Sequence, residues 1–466
     1  MMRDVKGKRV LIVGLGKSGA AAARFLSARG ASLAVVDSKS PDELRDAAGS
    51  LKGLDIELSL GGSDAKLFDS AQMIVASPGV PGDLPGILSA AARGVPVIGE
   101  LELALSELER PVVAITGTNG KTTTTTLVGH LLRESGMRTC VAGNIGTPLL
   151  DLLDEAMSAD VVVLEVSSFQ IETTPSLSPR IGILLNATPD HLDRHGSFDA
   201  YVECKAAMIS NVKADGFSIF NAADDRVASA VAAVKSRLVP FDATGRVLAR
   251  NEGRIGAWYE DGDLLVRVRQ GDAVRFPLSR VKLEGMHNRE NMLAALAAAM
   301  LCGAEPSKLR RALDAFSGLP HRMELVGECM GVRFYDDSKG TNVGATVRAI
   351  EAFAEPVVLI AGGLSKGADF ASLAVYAEGR VKRAVLIGEA AADLERAFAG
   401  KVESLRAKTM EEAVGLAAGA AEPGDVVLLS PACASFDMFR DYAHRGEAFT
   451  GAVRRLSEKS DSVAAL

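Results

Sequence analysis

Residues 112–127 read Val-Val-Ala-Ile-Thr-Gly-Thr-Asn-Gly-Lys-Thr-Thr-Thr-Thr-Thr-Leu. An apolar, β-branched run of this kind is typical of a buried parallel strand, and a glycine-rich turn and a helical pattern follow it. Glycines let backbone N–H groups approach phosphate oxygens, and the helix N-terminus adds partial positive charge. Lys121 supplies a charge for the terminal phosphates, and Thr122 supplies a hydroxyl for Mg²⁺. The stretch predicts a phosphate loop, in a shortened form because Ile115 stands where the usual spacing has glycine. The nucleotide contacts predicted here are Gly117, Thr118, Asn119, Gly120, Lys121, Thr122 and Thr123.

The same order of apolar run, glycine-rich turn and helical pattern recurs along the 466 residues. Nine runs are predicted as buried strands: Val10–Val13, Leu33–Val36, Met73–Ala76, Val112–Ile115, Val161–Leu164, Ile181–Leu185, Val357–Ala361, Ala384–Ile387 and Val426–Leu429. Their alternation with helices predicts an α/β protein built from parallel sheets. Residues 245–283 read instead as a small antiparallel excursion, closed by a helix over Glu290–Leu301.

Three domains are expected from this organisation. They are a Rossmann-like N-terminal domain over residues 1–99, a P-loop ATPase-like central domain over 100–317, and a Rossmann-like C-terminal domain over 318–466. Each range lies within the usual size of a domain, roughly 50–250 residues.

Composition excludes several classes of protein. The net charge of −7 comes without a basic run, so no nucleic-acid partner is expected. No stretch reaches the roughly 18–20 apolar residues of a membrane span, so no membrane association is expected. The five cysteines are scattered, without CxxC spacing. Reduced thiols in a cytoplasmic protein are therefore expected.

A second glycine motif, Gly14-Leu-Gly-Lys-Ser-Gly19, also follows a strand and precedes a helix, and Asp37 ends the next strand. Alone this is the dinucleotide-binding fingerprint and suggests an NAD-dependent oxidoreductase. The turn binds any diphosphate, however, and it also occurs purely to pack a helix on a sheet. A second nucleotide loop at residues 117–122 argues against a simple oxidoreductase.

Polar residues also follow two strands of the central region. Glu165 ends one strand, at the edge where nucleotides bind in such sheets, and either completes Mg²⁺ coordination with Thr122 or is a solvated strand end. His191, between Asp190 and Asp193, either binds a second divalent ion or forms a surface ion pair. Lys205 in the next helical stretch reads, by itself, as a surface lysine.

Together these motifs resemble the Mur ligases, the cytoplasmic enzymes that build the peptidoglycan stem peptide, over nearly the whole chain. The resemblance is carried by Thr116-Gly-Thr-Asn-Gly-Lys-Thr122, Glu165 with Ser-Ser-Phe-Gln170, Asn186 with Asp190-His191, Lys205, His287-Asn288 with Asn291, His321-Arg322, and Asp337-Ser-Lys339-Gly-Thr341-Asn342. It is closest to the D-glutamate-adding branch, through Ser77-Pro-Gly-Val80, Gly362-Gly-Leu-Ser-Lys366-Gly-Ala-Asp369-Phe370 and Ser430-Pro-Ala-Cys-Ala-Ser435-Phe-Asp437.

The resemblance implies that ATP drives addition of D-glutamate to UDP-N-acetylmuramoyl-L-alanine through an acyl phosphate, with two Mg²⁺ ions and with a CO₂-derived carbamate on Lys205. A monomer is expected. The implied UDP-sugar contacts are Gly14, Lys17, Ser18, Asp37, Ser38, Lys39, Ser77, Gly79, Asn144 and His191. Further implied ATP contacts are Asn291, Arg322 and Asp337, and the implied D-glutamate contacts are Thr341, Lys366, Ser435 and Tyr442. The implied metal ligands are Thr122, Glu165, His191 and Lys205, and the implied catalytic residues are Lys121, Glu165, His191, Lys205 and Lys339.

Two residues depart from the family pattern. Phe436 stands where leucine is expected, and Tyr442 where phenylalanine is expected. Both keep an apolar wall. The nearest alternatives are a sister ligase that adds another amino acid or a dipeptide, and folylpolyglutamate synthetase. A nucleotide-binding regulator without catalysis is the third alternative.

Overall fold

The computed structural model describes residues 5–62, 64–144, 146–248, 253–283, 285–365 and 367–464. These residues belong to two compact units. The first comprises Met1–Ala187, Asp199–Arg280 and Glu290–Ala315, and the second comprises Thr188–Phe198, Val281–Arg289 and Phe316–Leu466. No helix of the described residues is both long enough and apolar enough to cross a membrane.

The first sheet of the first unit has five parallel strands in the order β3-β2-β1-β4-β5. The strands are β1 (Arg9–Val13), β2 (Ser32–Asp37), β3 (Ile56–Leu60), β4 (Met73–Ala76) and β5 (Val97–Ile98). The helices between them are α1 (Lys17–Ala28), α2 (Arg45–Gly49), α3 (Ala65–Ser70) and α4 (Pro85–Ala92). Because β1 lies between β2 and β4, the turns that follow these three strands meet at one edge.

The second sheet of that unit has nine strands in the order β14-β13-β12-β11-β10-β9-β6-β8-β7. Its strands are β6 (Val112–Thr116), β7 (Thr139–Gly143), β8 (Val161–Glu165), β9 (Ile181–Leu184), β10 (Phe217–Asn221), β11 (Arg237–Asp242), β12 (Gly256–Glu260), β13 (Asp263–Arg267) and β14 (Val274–Pro277). The helices along this part of the chain are α5 (Glu100–Glu107), α6 (Lys121–Glu134), α7 (Leu153–Ser158), α8 (Ser168–Glu172), α9 (Leu192–His195), α10 (Phe198–Ser210), α11 (Asp225–Val231), α12 (Met286–Leu301) and α13 (Pro306–Ala315), with a 3₁₀ helix over Leu149–Leu152. Of these, α9 and the start of α12 belong to the second unit.

The second unit contains a six-stranded sheet in the order β15-β16-β20-β17-β18-β19. Its strands are β15 (Glu324–Cys329), β16 (Val332–Asp336), β17 (Val357–Gly362), β18 (Val381–Ile387), β19 (Ser404–Arg406) and β20 (Val426–Leu429). Its helices are α14 (Val343–Glu351), α15 (Phe370–Ala377), α16 (Ala391–Phe398), α17 (Met410–Ala420) and α18 (Tyr442–Ala464). Apolar clusters cover both faces of the sheet, as the continuous apolar strands require.

The α/β fold class and all nine predicted strands are confirmed. The antiparallel excursion is also present, as β12, β13 and β14. It extends the central sheet, because β12 pairs in parallel with β11. The helix predicted over Glu290–Leu301 begins earlier, at Met286.

Candidate active site

The phosphate loop is a tight turn between β6 and α6. Gly120 precedes the helix in a left-handed conformation, with φ of 85°, and a Cβ atom there would lie 2.3 Å from Asn291 Oδ1. Only glycine satisfies both conditions at low cost. Lys121 begins α6, and its ammonium donates to the carbonyls of Gly117 and Thr118 at 2.9 and 2.8 Å. The charge of Lys121 therefore lies directly over the turn.

Asn186, which follows β9, braces this loop. Its side-chain oxygen accepts from the N–H of Asn119 at 2.9 Å, and its amide donates back to the Asn119 carbonyl at 3.0 Å. Its own carbonyl accepts from Thr118 N at 3.1 Å. Asn291 makes a further contact, accepting from the Thr124 hydroxyl at 3.1 Å. The loop is therefore held by neighbouring side chains as well as by its own backbone.

Glu165 lies at the end of β8, between the phosphate-loop strand and β7. The register pairs it with Ile115 on one side and with Gly143 on the other. Only 2% of the residue is exposed, so a solvated strand end is the wrong interpretation. Oε1 accepts from Asn144 Nδ2 at 2.8 Å, while the buried Oε2 has no hydrogen-bond partner among the described residues. A buried carboxylate oxygen without a donor is suited to a cation.

Lys205 is buried, with 1% of its surface exposed, so its interpretation as a surface lysine is wrong. Its Nζ donates to the Gly117 carbonyl at 3.0 Å and lies 4.4 Å from the centre of the Tyr201 ring. The Tyr201 hydroxyl in turn lies 3.2 Å from the Thr118 hydroxyl. Helix α10 thus places an amine against the phosphate loop.

The turn over Gly14–Gly19 differs from the phosphate loop in the hydrogen bonds of the acid beside it, Asp37. Asp37 Oδ2 accepts from Leu15 N at 2.6 Å, and Oδ1 accepts from Lys39 N at 2.9 Å. Ser77 Oγ donates to the Gly14 carbonyl at 2.7 Å. At Gly19, a Cβ atom would lie 2.0 Å from that carbonyl. One oxygen of Asp37 therefore holds the glycine turn, and the other holds the loop that follows β2.

The other residues assigned to the UDP-sugar on the first sheet lie at the same edge. Ser18 lies in the first turn of α1, Ser38 and Lys39 are exposed directly after β2, and Gly79 is exposed after β4. Asn144, on the central sheet, contacts Glu165 as described above. The sequence-predicted set is therefore brought to the ends of neighbouring strands within this unit, apart from His191, which belongs to the second unit.

In the second unit, two adjacent aspartates follow β16. Burial raises the pKa of Asp337 to about 7, although the Ser430 hydroxyl donates to it and Arg322 favours its charged form. Burial also raises the pKa of Asp336, which accepts from Ser338 N at 2.8 Å and lies 2.7 Å from His321 Nδ1. This strand end therefore holds two buried carboxylates side by side, each with polar partners.

Some of the residues predicted to bind D-glutamate lie near the end of β16. Lys339 Nζ lies 5.0 Å from the centre of the Tyr442 ring, and Thr341 N donates to the Lys339 carbonyl at 2.9 Å. Ser435 is buried in the loop that follows β20. The preceding residue of that loop, Ala434, forms an antiparallel bridge with Leu364. The predicted contact at Lys366 falls outside the described residues. The exposed side chain of Phe436 follows Ser435.

His191 lies in the second unit, in a left-handed conformation with φ of 52°. Its Nε2 is 3.8 Å from Asp190 Oδ2, a distance typical of a weak ion pair. Asp190 also accepts from Asn342 Nδ2 at 3.2 Å. This unit contains a second histidine, His287. Burial, together with the positive charges of Arg348 and Arg322, lowers the pKa of His287 to about 4.

Arg445 is a residue that the sequence did not single out. It is fully buried in α18 and donates to the carbonyls of Ser338, Cys433 and Ala434 and to the Ser338 hydroxyl. Burial lowers its pKa to about 10. Its position three residues after Tyr442 was the only available signal, and it was not strong enough to distinguish Arg445 from a surface arginine.

Fold and site define a class of protein, an α/β enzyme with a phosphate loop on its central sheet. Models of the "Mur ligase MurD-like, N-terminal domain", the "Mur ligase middle domain" and the "Mur ligase, glutamate ligase domain" match residues 8–99, 115–299 and 321–433. The chain belongs to the Mur ligase family, whose members are ATP-dependent ligases.

Three relatives carry the name UDP-N-acetylmuramoylalanine–D-glutamate ligase. The protein from Geotalea daltonii is 46% identical over 97% of this chain and 99% of its own length. The one from Geobacter metallireducens is 44% identical over 97% and 98%, and the one from Pelotomaculum thermopropionicum is 43% identical over 98% and 100%.

Solved structures agree with the fold. A pseudomurein peptide ligase type C from Methanothermus fervidus aligns with a TM-score of 0.61 at 20% identity, covering 97% of this chain and 100% of that one. The UDP-N-acetylmuramate-alanine ligase of Thermotoga maritima gives 0.59 at 19% identity, covering 96% and 99%. A MurF ligase of T. maritima in complex with ADP gives 0.58 at 17% identity, covering 98% and 97%. These matches confirm the three-domain architecture.

Proposed function

We propose that the protein catalyses ATP-dependent addition of D-glutamate to UDP-N-acetylmuramoyl-L-alanine, a step of peptidoglycan biosynthesis. The observation that carries the proposal is the near full-length similarity, at 42–46% identity, to ligases named for this reaction. The buried Oε2 of Glu165, which has no hydrogen-bond partner among the described residues, supports the use of a cation beside the phosphate loop. The NAD-dependent oxidoreductase is set aside, because the family models match ligase domains throughout.

The three ligands are assigned to three domains, over residues 1–99, 100–317 and 318–466. The UDP-sugar is proposed to bind at the edge of the first sheet, through the Gly14–Gly19 turn with Lys17, and at Asn144. ATP is proposed to bind at the phosphate loop, and Asn291, Arg322 and Asp337 are proposed as further ATP contacts. D-glutamate is proposed to bind at Thr341, Lys366, Ser435 and Tyr442.

The residues present fit a divalent cation near the phosphate loop. Glu165 offers a buried oxygen to which no donor of the described part of the chain bonds, and Thr122, itself buried, is the second residue of α6. Both are hard oxygen ligands of the kind that Mg²⁺ prefers. When bound there, Mg²⁺ would neutralise charge on the β- and γ-phosphates. A second ion is assigned to His191 and to Lys205 in its carbamate form.

The carbamate on Lys205 is part of the proposal. The Lys205 amine is buried beside the phosphate loop, against the Gly117 carbonyl and the Tyr201 ring, and it reacts with CO₂ in its uncharged form. The product would carry a negative charge in place of a positive one. Intact-protein mass measured in bicarbonate should exceed the mass in CO₂-free buffer by that of one carbamate, and Lys205→Ala should abolish the difference.

The reaction needs activation of a carboxylate, which is a poor electrophile. The acceptor carboxylate attacks the γ-phosphorus of ATP, which forms an acyl phosphate and releases ADP. The residues of this chain would mainly position the phosphates and balance their charge, Lys121 above all. The uncharged amine of D-glutamate then attacks the acyl carbon, and phosphate leaves as the amide forms. Exclusion of water would protect the acyl phosphate from hydrolysis.

The decisive experiment is phosphate release from ATP with Mg²⁺, UDP-N-acetylmuramoyl-L-alanine and single amino acids. Release is expected with D-glutamate and not with L-glutamate. Release with another amino acid would keep the ligase chemistry and assign the chain to a sister enzyme. A protein that binds ATP without releasing phosphate under any of these conditions would be a nucleotide-binding regulator.

A further inference from the structure

The segment Gly146–Asp151, which follows β7, is attached to helix α1 of the first sheet. Arg24 Nη2 donates to both carboxylate oxygens of Asp151, at 2.8 and 2.9 Å. Lys17 Nζ, in the glycine turn, lies 3.4 Å from the Gly146 carbonyl, a long hydrogen bond. Two cations of one helix therefore hold the two ends of this segment.

A buried carboxylate makes the third attachment. Glu100, the first residue of α5, is 3% exposed, and its Oε1 accepts from Leu150 N at 2.8 Å. Burial raises the pKa of Glu100 to about 7, and the nearby charge of Asp151 adds to the rise. A carboxylate kept in such a surrounding is costly, and Glu100 makes its hydrogen bond to this segment. The mechanism above uses neither Glu100 nor Arg24.

Asn144, two residues before the segment, contacts the candidate metal ligand. Asn144 N donates to the Glu165 carbonyl and Asn144 Nδ2 donates to Glu165 Oε1, both at 2.8 Å. The preceding Gly143 packs so closely that a Cβ atom would lie 2.3 Å from the Glu165 carbonyl. A displacement of the segment would therefore move the donor that orients the Glu165 carboxylate.

We propose that Glu100 and Arg24 are positioning residues, which hold the segment Gly146–Asp151 so that ligand binding at the Gly14–Gly19 turn is coupled to metal binding at Glu165. The inference rests on the proposed function, since it takes the ligand of the turn to be a UDP-sugar. Both ligands would favour the same arrangement of the segment. By linkage, each then raises the affinity for the other by the same factor.

The test measures Mn²⁺ binding rather than turnover. Free Mn²⁺ is followed by electron paramagnetic resonance in the presence of the β,γ-imido analogue of ATP, with and without UDP-N-acetylmuramoyl-L-alanine. For the unmodified protein we expect the UDP-sugar to tighten Mn²⁺ binding by about 10-fold. In Glu100→Ala and Arg24→Gln the ratio should fall towards one. Glu100→Gln should retain most of the coupling, because its amide oxygen still accepts from Leu150 N.

Glu102→Ala is the matched control. Glu102 lies on the same helix and is 1% exposed, but it accepts from Ser176 N and Oγ instead of from the segment. Its replacement should lower stability and leave the coupling ratio unchanged. If Glu100→Ala fails to fold, the partly exposed Arg24→Gln still decides the matter.

Two results would overturn the inference. One is a ratio of one in the unmodified protein, and the other is an unchanged ratio in Arg24→Gln. Either result, obtained while D-glutamate-dependent phosphate release persists, would leave the proposed function intact. Absence of both UDP-sugar binding and phosphate release would instead remove the proposed function itself.

Discussion

The Gly14–Gly19 turn and the phosphate loop at residues 117–122 have the same local design and different chemistry. Each follows a buried strand and opens a helix, and each has an acid at the end of an adjacent strand. In the first, both oxygens of Asp37 are engaged by backbone N–H groups. In the second, one oxygen of Glu165 is buried without a donor among the described residues. The two turns share a glycine pattern and differ in the contacts of the nearby acid. At Gly14–Gly19 the acid is used for backbone hydrogen bonds, whereas at the phosphate loop it has an oxygen suited to a cation.

Each turn contains one lysine, Lys17 in the first and Lys121 in the second, and replacing Lys121 should have the largest effect. Lys121→Ala should lower kcat by roughly 10³-fold, because a cation beside the transferring phosphoryl group is lost. Steady-state phosphate release measures this effect. Near-normal turnover in Lys121→Ala would refute the assignment of ATP to this loop.

The two acids provide the next test. Glu165→Gln should weaken Mn²⁺ binding by roughly 10²–10³-fold, because a charged oxygen ligand is replaced by an amide. Its thermal stability should stay the same or rise, since an uncompensated buried charge is removed. Asp37→Asn should do the reverse. It should lower the free energy of unfolding by about 1–3 kcal/mol by leaving a backbone donor unpaired, and leave Mn²⁺ binding unaffected. Equal losses of Mn²⁺ affinity in both variants would contradict the comparison.

Glu100, on the helix that leads from the first sheet to the second, makes stability depend on pH. Its pKa is about 7 in the folded protein and 4.5 as its ordinary value, so the folded state holds the proton more tightly. The free energy of unfolding therefore falls as pH rises from about 4.5 to about 7, by up to about 3 kcal/mol. Glu100→Gln cannot lose a proton at this position. The stability of this variant relative to the unmodified protein should therefore increase as pH rises through that range.

The measurement is the difference in unfolding midpoint between the two proteins, taken at several pH values. Asp337, whose pKa is also raised, is present in both proteins and cancels in the difference. A difference that does not change between pH 4.5 and 7.5 would show that Glu100 does not titrate in this range.

The smallest effect is expected at the first turn. Lys17→Ala should raise KM for the UDP-sugar by about 5- to 10-fold and leave kcat nearly unchanged, because Lys17 is placed at a ligand group that does not react. A loss in kcat comparable to that of Lys121→Ala would mean that the two turns act on the same phosphates.

Much of this fold could be predicted from sequence, because nine strands are continuous apolar runs between glycine turns. Strands such as β10 and β16 escaped prediction because polar residues interrupt them, as in Val332–Asp336, where Arg333 and Tyr335 alternate with buried residues. The site was predictable where the chemistry lies in a local motif, as at Gly117–Thr122.

What could not be predicted depends on contacts distant along the chain. The burial of Lys205 follows from Tyr201 and the Gly117 carbonyl, the latter 88 residues away. Leu150, which is held by Glu100, lies 50 residues further along the chain, and neither of these two residues carries a motif. The missing donor at Glu165 Oε2 is likewise a property of the folded surroundings and not of the sequence around Glu165.

Asn186 gives the phosphate loop a property that bears on the rate of nucleotide capture. Its side chain accepts from the Asn119 N–H and donates to the Asn119 carbonyl, so contacts within the protein fix this part of the loop. A preorganised loop loses little conformational entropy on binding, so less of the interaction energy is consumed in ordering it. The association rate of the nucleotide is then close to the rate of productive encounters. Differences in affinity between the nucleotide and other phosphates would then lie mainly in their dissociation rates.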